Sequence, residues 1–244
     1  MSDSARSGWQ PVRRLRTHEH VLEQIQQQIT SGQLGPGDRL PGERELAEYL
    51  DVSRAGVREA MRVLEALGVI SAGVGSGPRA GSVVTGSSSE ALANLLRLHV
   101  ALSRFTQREV MEVRVQLERW AVSEAATRST ADDVVGLRSI VLHMRQPEIG
   151  YEQFNELDTS FHVAVANMCG NALLAELMGA LREVLKREML SVFENLTDWR
   201  KTAAGLITEH QGIVDAIERG DSRGAATLVE RHISDFYALT DSVP

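Results

Sequence analysis

The chain has 244 residues, of which 43% are hydrophobic, and this is enough for two domains with cores of their own. Its single cysteine, Cys169, excludes an intrachain disulfide framework and is typical of a reducing cytoplasm. The sequence shows neither the run of ~20 apolar residues that a membrane helix needs nor a signal-peptide pattern, so we expect a cytoplasmic protein without a membrane partner.

The net charge of −7 is unevenly distributed along the chain. Residues 1–85 contain ten arginines and ten acidic residues, so the whole acidic excess lies in residues 86–244. Phosphate binding requires positive potential at the contact surface and not over the whole protein. The N-terminal part can therefore bind nucleic acid even though the protein as a whole is acidic.

The first predicted elements are three helices. Apolar residues at helical spacing predict a helix over Thr17–Thr30, which Gly32 ends. The stretch 36–70, PGDRLPGERELAEYLDVSRAGVREAMRVLEALGVI, predicts two short helices that pack against each other across a tight turn. Asp51 suits this turn because Asp tolerates a left-handed backbone, and Ser53 suits the N-cap of the second helix.

Arginines surround the start of that second helix. Arg44, Arg54 and Arg58 are placed where a DNA recognition helix presents its base-reading and phosphate-reading groups. After it, the ranges 69–72 and 82–85 read as short strands that flank the glycine-rich loop GVGSGPRAG, with Arg79 near its tip. A helix-turn-helix that serves only for packing, with surface arginines, is the alternative interpretation.

The region from Val12 to Thr85 resembles the winged helix-turn-helix of GntR-type bacterial transcription regulators. This resemblance implies a DNA-binding domain over residues 12–85 and a double-stranded DNA partner. Because each domain makes few base contacts, we expect a homodimer on a palindromic operator. The DNA-binding residues that we predict are Arg44, Ser53, Arg54, Ala55, Gly56, Arg58, Gly75 and Arg79.

Residues 86–90, GSSSE, read as a polar linker, and Ser87 with Glu90 can form a capping box for the next helix. The remainder, residues 91–240, reads as helices alone, separated by breaks such as Gly170-Asn171 and Gly220-Asp221. The predicted fold is therefore mainly α, with an N-terminal winged helix-turn-helix and a C-terminal antiparallel all-α bundle.

Four polar residues interrupt the apolar stripes of these C-terminal helices. Asp158 and His162 are four residues apart and point the same way, while His210 and His232 lie inside stripes of two later helices. Together they would supply one carboxylate and three imidazoles. That set suits a divalent cation, with zinc as the first choice and nickel, manganese or iron as alternatives. Taken singly, a histidine in such a stripe is more often a hydrogen-bonded core residue than a metal ligand.

Residues 88–239 resemble the FCD effector domain of the FadR subgroup, through EVRVQLERWAVSEAATR, LDTSFHVAVANMCGNALL, TEHQGIVDAIERGD and ERHISDF. In metal-containing members an Asp, a His four residues on and two later histidines hold one metal beneath a small-molecule pocket. The resemblance implies that Asp158, His162, His210 and His232 do so here. It also implies a small carboxylate effector clamped by Arg114, although a salt bridge from Arg114 to Glu118 is the competing interpretation.

These patterns predict a DNA-binding transcription regulator, most simply a repressor, that is not an enzyme. Two alternatives remain at this stage. A metal site with open positions could belong to a metalloenzyme that acts on a small carboxylate. The metal could also be purely structural, and its removal would then unfold the domain while added organic acids would change nothing.

Overall fold

The computed structural model of the protein describes residues 16–72, 81–86, 89–103 and 105–240, which form ten helices and two strands. The chain divides after Ser88 into an N-terminal unit and a C-terminal unit, each packed around its own hydrophobic core. Within these ranges, no helix is long and apolar enough to cross a membrane.

The N-terminal unit has three helices followed by two antiparallel strands. They are α1 Thr17–Thr30, α2 Glu43–Tyr49, α3 Arg54–Ala66, β1 Ile70–Ala72 and β2 Ser82–Val84. One apolar cluster joins all five elements and consists of Val21, Ile25, Leu40, Leu46, Ala47, Val57, Ala60, Met61, Leu64, Ile70 and Val84. This is the winged helix-turn-helix that the sequence predicts, and α1 has the predicted bounds.

The turn between α2 and α3 has the local geometry that its residues favour. Asp51 adopts a left-handed backbone with φ of 48°. The Ser53 hydroxyl accepts a hydrogen bond from the Gly56 amide at 3.2 Å and so caps α3. Such a cap satisfies an amide that would otherwise lack a partner within the helix, and thereby fixes where α3 begins.

The C-terminal unit consists of seven helices: α4 Ser89–Ser103, α5 Gln107–Arg128, α6 Ala131–Met144, α7 Tyr151–Met168, α8 Ala172–Asn195, α9 Trp199–Glu218 and α10 Ser222–Thr240. Helix α4 begins at Ser89, inside the stretch predicted as linker. The Ser87 half of the predicted capping box lies outside the described residues. Thr106 and Thr130 form capping boxes at the starts of α5 and α6, and Gly170 and Gly220 have positive φ at the predicted breaks.

Helix α5 lies at the centre of this bundle, in contact with α7, α8, α9 and α10. Most of the enclosed side chains are apolar, as expected for a helical core. A polar group nevertheless lies among them, composed of Arg114, Glu118, Asn155, Asp158, Thr159, His162, Arg182, His210 and His232. Buried charges are costly unless they are paired or bind a metal, so this group marks the candidate site.

Candidate metal centre and nucleic-acid interface

The structure brings the four predicted metal ligands together. Helix α7 supplies Asp158 and His162, α9 supplies His210, and α10 supplies His232. One potential ligand atom from each residue lies within 4.8 Å of all the others, and all four residues are buried. The i,i+4 spacing on α7 therefore does place its two polar groups on one side, and the two later helices complete the set.

The donor atoms have separations that suit a small cation. Asp158 Oδ1 is 3.2 Å from His210 Nε2 and 3.8 Å from His162 Nε2, and the two imidazole nitrogens are 3.4 Å apart. Donors bound ~2.1 Å from a tetrahedral zinc ion lie about 3.4 Å from one another. In the part of the chain that the structure describes, Asp158 Oδ1 is buried without a hydrogen-bond partner. A cation would satisfy this oxygen, so the residues fit a metal.

Two further carboxylates orient the histidines. Glu118 Oε2 accepts a hydrogen bond from His162 Nδ1, and Glu209 Oε2 accepts one from His232 Nδ1 at 2.7 Å. A proton on Nδ1 leaves the lone pair of Nε2 free for a ligand. This carboxylate–histidine arrangement is the usual outer shell of a protein metal site.

Two buried arginines balance the acidic residues. Arg182 donates from Nη2 to Asp158 Oδ2 at 2.7 Å and to the Asp158 carbonyl at 3.2 Å. Arg114 donates from Nε to Glu118 Oε1 at 2.7 Å. Since Arg182 occupies only Oδ2 of Asp158, the other oxygen remains available on the side of the histidines.

The environment sets protonation states that favour metal binding. Burial, together with the nearby Arg182 charge, lowers the pKa of His162 to about 3. Burial and the neighbouring His210 also lower the pKa of His232. Burial alone would raise the pKa of Asp158, but Arg182 and the histidines hold it well below its usual range. Two neutral imidazoles beside an ionised carboxylate are in the forms that metals require.

Arg114 makes the salt bridge that was the competing interpretation of its role. Its Nε binds Glu118, and its guanidinium carbon lies 5.9 Å from the centre of the Tyr237 ring. Its Nη1, however, is buried without a hydrogen-bond partner among the described residues, as is Nε of Arg182. Both arginines therefore keep a donor that an anion could use.

The space beside the site is small. A cavity lined in part by Glu118, Phe161 and His162 has a volume of about 10 Å³. A water molecule needs a cavity of roughly 10–15 Å³, so this one holds about one small atom or ion. An organic acid can bind here only if the surrounding helices repack.

Sequence reasoning missed Arg182 and Glu209. Arg182 lies in a buried stripe of α8 with Met178, Leu185 and Met189, so the pattern that revealed the histidines was present for this arginine too. Glu209 gave no such signal, because its position next to His210 in sequence does not reveal that it reaches α10.

The predicted DNA-reading residues of the described part lie around the start of α3. Arg44, Arg54, Ala55 and Arg58 are exposed. Arg58 Nε also contacts Glu43 Oε2 at 3.2 Å, which ties the recognition helix to α2. Arg62 was not among the predicted DNA-binding residues, but it is exposed and continues the i,i+4 row of Arg54 and Arg58 along the helix.

Two of the predicted DNA-binding residues have structural roles in α3. Ser53 caps the helix, as described above. A Cβ atom at Gly56 would lie 2.6 Å from Thr17 Cγ2, so the absence of a side chain there lets α3 approach α1 closely. Gly75 and Arg79, the predicted contacts of the wing, lie outside the residues that the structure describes.

A winged helix-turn-helix joined to a helical domain with a buried polar site defines a DNA-binding regulator. Comparison with known families specifies it further. Residues 17–79 match the model of "Bacterial regulatory proteins, gntR family", and residues 109–235 match that of the FCD domain. The chain belongs to the GntR family of bacterial transcription regulators and carries an FCD effector domain.

Similar proteins support this assignment. The chain is 29% identical over 208 residues to the HTH-type transcriptional regulator LutR of Bacillus subtilis, covering 85% of this chain and 93% of LutR. It is 27% identical over 234 residues to the HTH-type transcriptional repressor NanR of Escherichia coli K12, covering 93% of this chain and 86% of NanR. A solved structure, Streptococcus agalactiae GntR, shares the fold with a TM-score of 0.63 at 24% identity, covering 89% of this chain and 98% of that one. The relatives are regulators, so the metalloenzyme alternative is not supported.

Proposed function

We propose that this regulator represses transcription as a homodimer on a palindromic operator, and that a small carboxylate bound at a metal site controls it. Repression is supported by the similarity to NanR, which is named as a repressor. Since a bacterial operator lies on the chromosome, the protein would work in the cytoplasm.

The exposed face of α3 supports the proposed DNA binding. Arg54 is the first residue of the helix, and it is exposed together with Arg58 and Arg62. In this arrangement Arg54 and Arg58 enter the major groove, while Arg44 and Arg62 contact phosphates. Ala55 and the backbone of Gly56 line the same helix start, and Gly75 and Arg79 would contact DNA from the wing.

One observation above all supports the proposed metal site. Asp158 Oδ1 is buried, has no hydrogen bond of acceptable geometry among the described residues, and lies 3.2 Å and 3.8 Å from the Nε2 atoms of His210 and His162. Asp158, His162, His210 and His232 would hold the ion. One oxygen and three nitrogens make zinc the first choice, with nickel, manganese or iron as alternatives. When bound, the cation supplies a Lewis-acidic centre for a carboxylate oxygen of the effector.

The charge of the site supports an anionic effector. In the buried group, Arg114 and Arg182 offset Glu118 and Asp158, so a divalent cation adds uncompensated positive charge. The half-buried Glu209 offsets only part of it. Nη1 of Arg114 and Nε of Arg182 supply donors for a second carboxylate oxygen.

The cavity of about 10 Å³ favours a second candidate, a purely structural metal. One experiment separates the two functions. Operator duplexes are selected from random DNA, and binding of the zinc-loaded protein is followed by fluorescence anisotropy while a panel of small mono- and dicarboxylates is added. An effector changes the operator affinity, whereas its amide analogue does not.

Removal of zinc gives a different result for each of the two functions. For a sensor, the response to the carboxylate disappears when zinc is removed, although the bundle stays folded by circular dichroism. For a structural metal, zinc removal unfolds the bundle and no acid in the panel changes DNA binding. Native mass spectrometry of the same samples shows whether two chains bind each duplex, and a single chain on a non-symmetric site contradicts the homodimer.

A further inference from the structure

Glu118 is a buried carboxylate whose two oxygens have different partners. Oε1 accepts from Arg114 Nε at 2.7 Å and also lies 3.9 Å from Arg182 Nη1, and Oε2 accepts from His162 Nδ1. Its side chain is 4% exposed, so bulk water does not compete for either bond. One carboxylate thus connects a guanidinium with a spare donor to an imidazole whose Nε2 faces Asp158.

We propose that Glu118 is a positioning residue that couples anion binding at Arg114 to metal binding at His162. This inference rests on the proposed function, because it takes Arg114 as the anion site and His162 as a metal ligand. It goes further by assigning the connection between the two sites to one side chain.

The coupling has a definite sign. Arg114 and the His162 N–H share the negative charge of Glu118, so each bond weakens the other. An anion at Arg114 Nη1 takes up part of the guanidinium charge, and Glu118 becomes a stronger acceptor for His162. A stronger acceptor at Nδ1 makes Nε2 more basic and hence a better ligand. The anion therefore tightens metal binding, and by linkage the metal tightens anion binding by the same factor.

Glu209 provides the internal comparison. It accepts from His232 through Oε2, as Glu118 does from His162. Its side chain is 26% exposed and lines a surface cleft of about 490 Å³. This carboxylate orients a histidine from the solvent side and makes no contact with Arg114, so it supports a ligand without connecting it to the anion site.

Substitution by glutamine distinguishes these two roles. A glutamine side chain has one acceptor oxygen and one donor nitrogen. In E118Q it can accept from Arg114 or from His162 but not from both. In E209Q the amide oxygen can still accept from His232. The two variants remove the same charge, but only E118Q breaks the connection.

Zinc affinity of the full chain is measured by competition with a chromophoric chelator, with and without excess acetate as the anion probe. For the unsubstituted protein we expect acetate to tighten zinc binding about fivefold or more. E118Q should bind zinc about 10–100-fold more weakly and lose the acetate effect. E209Q should retain the acetate effect. An E118Q protein in which acetate still tightens zinc overturns the inference, because the anion then acts on the metal directly or through Arg182 and Asp158.

The variant Glu118→Asp provides a second test of the coupling in case E118Q does not fold. It keeps the charge, but it is one methylene shorter and cannot hold both donors, so we again expect the acetate effect to be lost. A full acetate effect in E118D overturns the coupling.

Failure of the metal proposal itself gives a different result, namely no zinc uptake by any variant. The inference is then tested on the metal-free chain by nitrogen-15 NMR of the His162 ring. We expect the Nδ1–H tautomer in the unsubstituted protein and in E209Q, and a mixture of tautomers in E118Q. An unchanged tautomer in E118Q would show that Glu118 does not position His162.

Discussion

Replacement of His210 by alanine tests the candidate metal site through protein stability. His210 and His162 are 48 positions apart in sequence, and the four ligands come from three helices. Unfolding separates these ligands, so zinc binds the folded chain and stabilises it. At a free zinc concentration 100 times Kd, the gain in the free energy of unfolding is about 2.7 kcal/mol.

This gain converts into a measurable thermal shift. For a domain of roughly 150–250 residues, 1 kcal/mol raises Tm by about 2–4 °C, so zinc should raise the Tm of the C-terminal unit by about 5–11 °C. His210→Ala removes one nitrogen ligand, and its zinc-dependent shift should fall to near zero. Removal of a buried ring also lowers the stability of the metal-free protein. For each variant, the Tm in zinc is therefore compared with the Tm of the same variant in chelator.

Differential scanning calorimetry of the full chain measures this shift, and His143→Ala serves as the matched control. His143 is exposed on α6 and lies outside the ligand cluster, so its variant should keep the full zinc effect. A His210→Ala protein whose Tm rises with zinc as much as that of the control refutes the assigned site. A Tm that does not respond to zinc in any of the proteins refutes metal binding as a whole.

Three further predictions concern other parts of the chain. Arg54→Ala should weaken operator binding by about 1–3 kcal/mol in fluorescence anisotropy, and an unchanged affinity means that Arg54 does not read a base. Ser53→Ala removes the bond to the Gly56 amide and should lower the free energy of unfolding of the N-terminal unit by about 1 kcal/mol in urea; no change would argue against the cap. Arg182→Met leaves buried Asp158 without its 2.7 Å partner and should destabilise the metal-free C-terminal unit by about 3–5 kcal/mol, and a loss below 1 kcal/mol would contradict the importance of this ion pair.

Features that depend on neighbouring residues could be predicted from the sequence. The bounds of α1, the left-handed Asp51 and the Ser53 cap follow from backbone sterics and hydrogen bonds within a few residues. Helical periodicity likewise placed Asp158 and His162 on one side of α7 and put His210 and His232 on buried faces.

The connections between helices could not be predicted in this way. Glu209 reaches His232 across 23 positions, and Arg182 reaches Asp158 across 24. Periodicity gives the buried face of a helix. It does not give which helix packs against that face, or which residues along the two helices come into contact.

The sequence by itself therefore determined the helices, the capped turn and the candidate ligands, because each depends on interactions within one or two helical turns. Only the tertiary structure decided that α7, α9 and α10 meet around one point and that Glu118 lies between Arg114 and His162. Such contacts depend on how seven helices pack together, since the position of each side chain is set by the fit of all its neighbours.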